Sequence, residues 1–272
     1  MSELVVATWV VAAELTNTLD ILQELGVNLI ELLATASADP DLREAPVVAK
    51  IWEQVAARGQ QVYSVHNAFG PEWDLGTPEE AERKLAGRNQ AALLRAAGQL
   101  GAEHSVLHAG EIRPEAPAEK QLEYFLRSVE SLLPVAEEAG VLIALENLPA
   151  DHLCSTPTQM RWLLERLDPD RVGFCCDTGH AQLTGTPPAA WVREFHDRLL
   201  GVHLQDTHGD NDAHLFPGRG LIDWEDFFAA LREMDYRLPI TLEALPPANL
   251  PWEKATEIAR RSVERLEAPR LD

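Results

Sequence analysis

Positively charged residues are few in this sequence of 272 residues. Its 23 lysines and arginines stand against 44 aspartates and glutamates, which gives a formal net charge of −21. A field of that sign slows the approach of polyanions and favours solubility, so nucleic acid is not an expected partner. Bound metal cations are not included in this charge and would change it locally.

Long apolar runs and cysteines are also scarce. No stretch approaches the roughly 18 apolar residues of a membrane span, and the opening residues, MSELVVATWV, lack the basic segment and cleavage site of a secretion signal. The cysteines are Cys154, Cys175 and Cys176, and the adjacent pair would point to opposite faces of a strand. We therefore expect a cytoplasmic protein without a membrane partner and without a disulfide framework.

The sequence does contain a repeating pattern of strands and helices. Eight short β-branched runs alternate with segments that can form helices, and the runs begin near residues 4, 28, 61, 104, 141, 172, 199 and 239. Typical helix starts are Thr77-Pro78, Thr156-Pro157 and Thr186-Pro187. Typical helix ends are Gly26, Gly59, Gly101 and Gly140.

This alternation predicts an α/β fold, which is either a closed (β/α)8 barrel or an open, doubly wound sheet. Eight strands favour closure. An open dinucleotide-binding sheet would carry G-x-G-x-x-G after its first strand, where this chain has Thr16-Asn17-Thr18. We therefore predict a single (β/α)8 TIM barrel over residues 1–272, with the active site at the C-terminal mouth of the barrel and without a nicotinamide cofactor.

Side chains that can bind metal ions lie at similar positions in six of the runs. Four or five residues after the start of each run come His66, His108, Glu146, Asp177, His203 and Glu243. In parallel strands of equal tilt, similar offsets place these groups in one layer at the barrel mouth. The loops add His180, Asp212 and His214. Buried groups of this kind must be paired, neutral or coordinated, and a mixed nitrogen and oxygen shell suits zinc, manganese, cobalt or iron.

These segments resemble, in the same order, the motifs of the xylose-isomerase-like TIM-barrel superfamily. They are the strand-end His66 and His108, ALEN with Glu146, CDTGHA with Asp177 and His180, HLQD with His203, DAHLFPGRGLIDW with Asp212 and His214, and TLEAL with Glu243. The resemblance is strongest to the sugar phosphate isomerase/epimerase family, which is related to endonuclease IV. It covers nearly the whole chain and is more specific for the superfamily than for a reaction.

The resemblance implies a cofactor of one to three divalent ions. In the sugar epimerases and isomerases, one ion, often manganese or cobalt, is held by residues that match Glu146, Asp177, His203 and Glu243. By similarity to the endonuclease branch, a second ion would be held by His66, His108 and Glu146, and a third by His180, Asp212 and His214. One ion against three acids leaves −1, which suits a neutral polyol, whereas three ions against four acids leave +2, which suits a phosphodiester.

For an isomerase or epimerase, the predicted catalytic residues are Glu146 and Glu243. The metal polarises a ketose carbonyl, one glutamate removes the proton of the adjacent C–H, and the other returns it to an enediolate carbon. Return to the opposite face inverts the centre, and return to the neighbouring carbon exchanges aldose and ketose. The same site could remove water from an inosose-type substrate, so a dehydratase stays open.

Four residues are predicted to contact the sugar. His180 and Arg219 are candidates for its oxygens, His152 is a further candidate contact, and Trp9 is expected at its carbon face. Phe69 and Trp73 are additional candidates for that apolar wall. For Phe69 and Trp73, simple packing is the stronger expectation.

An abasic-site endonuclease with three metal ions is the main alternative. Binding of duplex DNA requires several Lys or Arg contacts to phosphate. The loop after the second strand has only Arg43, and the loop after the third strand has no basic residue. The GRG around Arg219, and DTGH where endonuclease IV has DTCH, also argue against this activity. We therefore predict a metal-dependent isomerase or epimerase of carbohydrate metabolism that acts on a sugar or sugar phosphate. A barrel that binds sugar without turnover, and a homo-oligomer, both remain open.

Overall fold

Short β-branched runs alternate with helices along the chain, and the structure closes these runs into a barrel. The structure is a computed structural model that describes residues 3–11, 14–34, 41–245 and 251–264. The strands are β1 (Leu4–Ala7), β2 (Leu29–Leu33), β3 (Gln61–His66), β4 (His104–Leu107), β5 (Leu142–Glu146), β6 (Val172–Asp177), β7 (Leu199–Leu204) and β8 (Ile240–Leu242). Each strand pairs in parallel with the next, and β8 pairs with β1, so the predicted α/β barrel is confirmed.

The helices follow the strands along the chain and pack on the barrel wall. They are α1 (Leu15–Glu24), α2 (Ala45–Ala56), α3 (Glu80–Leu100), α4 (Ala118–Ala139), α5 (Pro157–Leu164), α6 (Thr178–Leu183), α7 (Pro188–Glu194), α8 (Trp224–Glu233) and α9 (Trp252–Glu264). Phe125 of α4 and Phe227 of α8 are fully buried in the core between helices and strands. In the part of the chain described, no helix is both long and apolar enough to cross a bilayer.

The helix starts agree with the prediction at α5 only. Thr156 caps α5 because its side chain accepts a hydrogen bond from the N–H of Gln159, and Pro157 is the first helical residue. The Thr77-Pro78 start is wrong, since α3 begins at Glu80 and Arg83 donates to the carbonyls of both residues outside the helix. The Thr186-Pro187 start is shifted by one residue, and α7 begins at Pro188. Pro187 is itself followed by a proline, and a residue in that position avoids the helical backbone conformation.

The predicted glycines at helix ends are confirmed: Gly26 and Gly59 follow α1 and α2 with left-handed φ of 68° and 67°, and Gly101 and Gly140 end α3 and α4. Gly101 and Gly140 adopt the left-handed conformation there, with φ of 79° and 72°. Glycine takes this conformation without the steric cost that a side chain would add.

An apolar layer inside the barrel supports the mouth. Val106, Ala144 and Cys175 pack together there. Each lies two residues before a predicted metal ligand, and therefore on the same face of its strand. Cys176 belongs instead to the outer core, as alternation along β6 requires, and all three cysteines are buried free thiols. His108, Glu146 and Asp177 thus rest directly on an apolar layer.

Candidate active site

The strand ends bring the six predicted strand ligands together at the barrel mouth. Parallel strands all end at the same rim, so side chains at similar offsets meet there. The last residues of β3, β5 and β6 are His66, Glu146 and Asp177, while His203 lies within β7 and His108 and Glu243 directly follow β4 and β8. These side chains are at most 7% exposed, except that His108 is 14% exposed.

Four of them can surround one ion. One donor atom from each of Glu146, Asp177, His203 and Glu243 lies within 4.8 Å of the others. His203 Nδ1 is 2.7 Å from Glu243 Oε2 and 3.5 Å from Glu146 Oε1. Glu146 Oε1 is buried and has no hydrogen-bond partner, which is costly for a carboxylate oxygen unless a cation contacts it. The group, with one nitrogen and three carboxylates, fits a divalent ion such as zinc or manganese.

The carboxylates at the mouth create a strongly negative field. Burial alone would lower the pKa of His66, but the Glu146 carboxylate and its acidic neighbours outweigh burial and raise it to about 9. Burial, together with the nearby Glu146 and Glu243, raises the pKa of Asp177 to about 6. Carboxylates that crowd one another and draw protons onto neighbouring imidazoles favour a bound cation, which would displace those protons.

Glu146 also belongs to a second donor group. Its Oε2 lies 2.9 Å from His108 Nε2 and 3.3 Å from His66 Nε2, and the three residues have donor atoms within 4.8 Å of one another. The two carboxylate oxygens of Glu146 therefore face two neighbouring donor sets.

The three loop residues form a hydrogen-bonded rim beside these groups. Asp212 Oδ2 lies 3.1 Å from His180 Nε2 and 3.2 Å from His214 Nε2. In each of the first two sets, the donor atoms all lie within 4.8 Å of one another. Within the described residues, this third set does not form such a group. The structure therefore places the predicted third set together as an aspartate between two imidazoles.

Gln205, which the sequence analysis missed, connects the rim to the inner group. Its Nε2 donates to Asp212 Oδ1 at 2.9 Å and to Asp177 at 3.1 Å. A Cβ atom at Gly179 would collide with the Gln205 side chain, so the glycine of DTGH leaves the room that Gln205 occupies. The sequence signal was the HLQD segment itself, in which an amide follows the ligand-bearing strand.

Glu31 is the second residue that the sequence analysis missed. It lies within β2, is 1% exposed, and its Oε2 accepts a hydrogen bond of 2.7 Å from Ser64 Oγ. The same oxygen lies 3.1 Å from His203 Nε2, on the ring nitrogen opposite the inner donor group. The signal was present, because an acid within the apolar run NLIELL requires a buried partner.

The loop after β7 is folded around the carboxylate of Asp206. This carboxylate accepts hydrogen bonds from the N–H groups of Gly218 and Gly220 and from Trp224 Nε1, each at 2.9 Å. The loop then reaches β8, where Leu245 N donates to the carbonyl of His214, which has a left-handed φ of 43°. Asp206 thereby sets the path on which Asp212 and His214 reach the mouth.

A cavity of about 810 Å³ opens above the donor groups. Trp9, His152 and His180 line it, as the predicted sugar contacts should, and Phe69 does as well. Trp9 Nε1 donates a hydrogen bond of 3.1 Å to Glu243 Oε1. Five carboxylates and five histidines line the cavity, and no lysine or arginine does within the described ranges, so its permanent charges are negative. It suits an uncharged, hydroxylated molecule better than an anion.

Two predicted contacts lie elsewhere. Arg219 is exposed and is not part of the cavity lining, because the Asp206 carboxylate binds the residues on both sides of it. Trp73 packs in the core with 3% of its surface exposed, so the stronger expectation of simple packing is confirmed and its suggested place in the wall is not. Apolar burial outweighs display of its ring to a ligand.

Comparisons with known proteins agree with this architecture. A family model described as xylose isomerase-like TIM barrel matches residues 19–268. An inosose dehydratase from Geobacillus kaustophilus is 29% identical over 178 residues, a match that spans 56% of this chain and 57% of the dehydratase. A solved D-tagatose 3-epimerase-like protein superposes with a TM-score of 0.84 at 22% identity and covers 97% of this chain and 98% of its own. The IolI protein, solved with a bound zinc atom, has a TM-score of 0.81 at 17% identity and covers 97% of each chain.

Proposed function

The chain belongs to the xylose isomerase-like TIM-barrel family, and from this we propose that it is a divalent-metal-dependent isomerase or epimerase of an uncharged sugar. The observation that carries the proposal is the inner donor group, in which Glu146 and Glu243 lie beneath an acidic cavity lined by Trp9. Structural similarity to a D-tagatose 3-epimerase-like protein supports the same class of reaction.

Four residues would hold the ion, namely Glu146, Asp177, His203 and Glu243. A bound divalent ion would polarise a ketose carbonyl and its neighbouring hydroxyl, which acidifies the C–H between them. The zinc atom in the structurally similar IolI protein supports a divalent metal in a protein of this fold.

Glu146 and Glu243 would carry the proton. They come from β5 and β8, on separate sides of the barrel, so a sugar above the donor group lies between them. Burial alone would raise the pKa of Glu243, but the neighbouring His203 outweighs burial and lowers it to about 2, so the carboxylate is ionised at neutral pH. The Trp9 indole donates to Oε1 of Glu243, and His203 Nδ1 lies 2.7 Å from Oε2, so the carboxylate is held in one orientation. An ionised, oriented carboxylate is what proton removal requires.

The test is proton exchange at the carbon next to a ketone. We expect the protein with Mn²⁺ to introduce deuterium from D₂O into a ketohexose such as D-fructose, D-tagatose or D-psicose, and to form its epimer or aldose isomer. Proton NMR of the sugar measures both. The proposal is contradicted if no ketose exchanges its proton or changes its configuration in the presence of manganese, cobalt or zinc.

A dehydratase is the second candidate, because the Geobacillus kaustophilus relative is an inosose dehydratase. Removal of a proton next to a ketone is its first step too, followed by departure of a neighbouring hydroxyl as water. Formation of a dehydrated product from an inosose, without exchange on ketoses, would favour this activity over epimerisation.

Replacing Glu31 with glutamine should weaken metal binding about 10- to 100-fold, the usual cost of losing a carboxylate that orients a histidine ligand. Glu31 faces the Nε2 side of His203 and so turns Nδ1 toward the inner donors. Competition with a coloured chelator measures the affinity. The matched control is Ser64→Ala, which removes the hydroxyl partner of Glu31 but keeps the carboxylate, and should stay within a few-fold of wild type. Equal affinities for wild type and E31Q would contradict this role.

A further inference from the structure

A smaller side cavity adjoins the active-site cavity. Its volume is about 160 Å³, and the two cavities share Phe69, His108 and His152 in their walls. The rest of its lining comes from the loops after β3 and β4. The loop after β4 is fixed to the loop after β5 by a backbone bridge between Glu111 and His152. The side cavity is therefore walled by connected backbone beside the proposed reaction centre.

An almost fully buried carboxylate is built into this side cavity. The Asp74 side chain is 3% exposed, and its Oδ1 accepts a hydrogen bond of 2.9 Å from the N–H of Gly76. A Cβ atom at Gly110, where φ is 98°, would collide with the Asp74 carboxylate. The glycine thus makes room for the acid at this position.

Arg113 lies opposite this carboxylate. Its Nε is 3.4 Å from Asp74 Oδ2 but has no hydrogen-bond partner, although the atom is buried. The Gln121 amide fixes Arg113 by binding both its N–H and its carbonyl. A buried donor without a partner costs free energy. Both residues line the side cavity, so one hydroxyl group of a bound molecule could accept from the Arg113 guanidinium and donate to the Asp74 carboxylate.

The charges and the aromatic wall indicate what would bind. Arg113 is balanced by Asp74 and by Glu82, whose carboxylate lies 3.9 Å from Arg113 Nη1, so no positive charge is left over for an anion such as phosphate. Phe69 is 52% exposed and stacks on His108 with a ring-centroid distance of 4.9 Å. A neutral donor–acceptor pair beside an exposed ring suits a sugar unit, which has hydroxyls on its edge and C–H groups on its face.

We propose that the side cavity is a subsite for a second, uncharged hydroxylated unit, such as a glycosyl group, joined to the reacting sugar. One of its hydroxyls binds between the Arg113 guanidinium and the Asp74 carboxylate, and the unit passes Phe69 on the way from the main cavity. The inference rests on the proposed function, because it places the reacting carbons beside Glu146 and Glu243. It makes a glycosylated ketose a better substrate than the free ketose.

The test compares D-fructose with lactulose and isomaltulose, two disaccharides in which a second sugar is joined to fructose. We expect at least one disaccharide to exceed D-fructose about tenfold in kcat/KM for proton exchange. Arg113→Met keeps the apolar stem and removes the donors, so it should lower that disaccharide value about tenfold and leave D-fructose within twofold. Arg113→Lys serves if the methionine variant does not fold. The control Lys84→Met, at an exposed surface ion pair, should change neither value.

Two outcomes overturn the subsite: neither disaccharide exceeds D-fructose, or R113M lowers all three sugars equally, as a purely structural residue would. If none of the sugars exchanges a proton, the proposed function fails instead, and the subsite is then judged by binding alone. Titration of wild type and R113M with lactulose, followed by NMR, supports it if the variant binds about tenfold more weakly. Equal binding, or no binding to wild type, overturns it.

Discussion

Glu146→Gln and Glu243→Gln should each slow proton exchange on a responsive ketose by about 10³-fold, within the usual range for loss of a general acid or base. Glutamine keeps the shape of the side chain but cannot accept the proton and is a weaker metal ligand. NMR exchange rates in D₂O measure the effect. The matched control is Glu165→Gln, whose carboxylate is 62% exposed in a surface ion pair, and which should retain full activity.

Both glutamates are also proposed ligands, so loss of metal must be separated from loss of the base. Asp177→Asn provides this comparison, because Asp177 belongs to the inner donor group without a proposed role in proton transfer. At saturating Mn²⁺, we expect D177N to regain more activity than E146Q or E243Q. Full turnover by either glutamate variant would show that the two-carboxylate mechanism is wrong.

Removing the metal should abolish proton exchange and destabilise the protein. The inner donor group places three carboxylates within 4.8 Å of one another, and their repulsion is relieved only by protons when no ion is bound. An ion at a thousand times its Kd stabilises the folded state by about 4 kcal/mol. Activity and the melting temperature after dialysis against a chelator measure both effects, and adding back manganese, cobalt or zinc should restore them. Unchanged activity in metal-free protein would contradict the proposed site.

The number of ions distinguishes the two branches of the superfamily. Elemental analysis of protein purified without chelators should give about one ion per chain for the polyol site. About three ions per chain, together with incision of a duplex with an abasic site at moderate salt, would instead support the endonuclease alternative. The cavity lining has no lysine or arginine to contact phosphate in the described residues, which is why we expect the first result.

The barrel and the convergence of its strand-end ligands could be predicted because both follow from simple periodicity. Each strand begins within one residue of its predicted start, and parallel strands end at one rim. Glu31 could not be found by the same rule, since it lies inside a strand where the pairing register shifts between Ile30 and Glu31. A search limited to strand ends and loops passes over a buried acid that supports a ligand from below.

The positions of the loop residues depend on contacts that spacing does not encode. Arg219 lies in the same loop after β7 as two predicted ligands, yet the hydrogen bonds from Gly218 and Gly220 to Asp206 decide where its side chain begins. The bond from Trp9 to Glu243 joins residues at opposite ends of the sequence. Such contacts form only when the barrel closes, so no local sequence pattern predicts them.

The contact between Gly179 and Gln205 restricts how this mouth can diverge. A larger residue at position 179, such as the cysteine of DTCH, needs a shorter one at position 205. Shortening residue 205 would release Asp177 and Asp212 from the amide they share. Substitutions at these places should therefore be inherited as a set, and libraries built to alter the range of sugars accepted will need to vary them together.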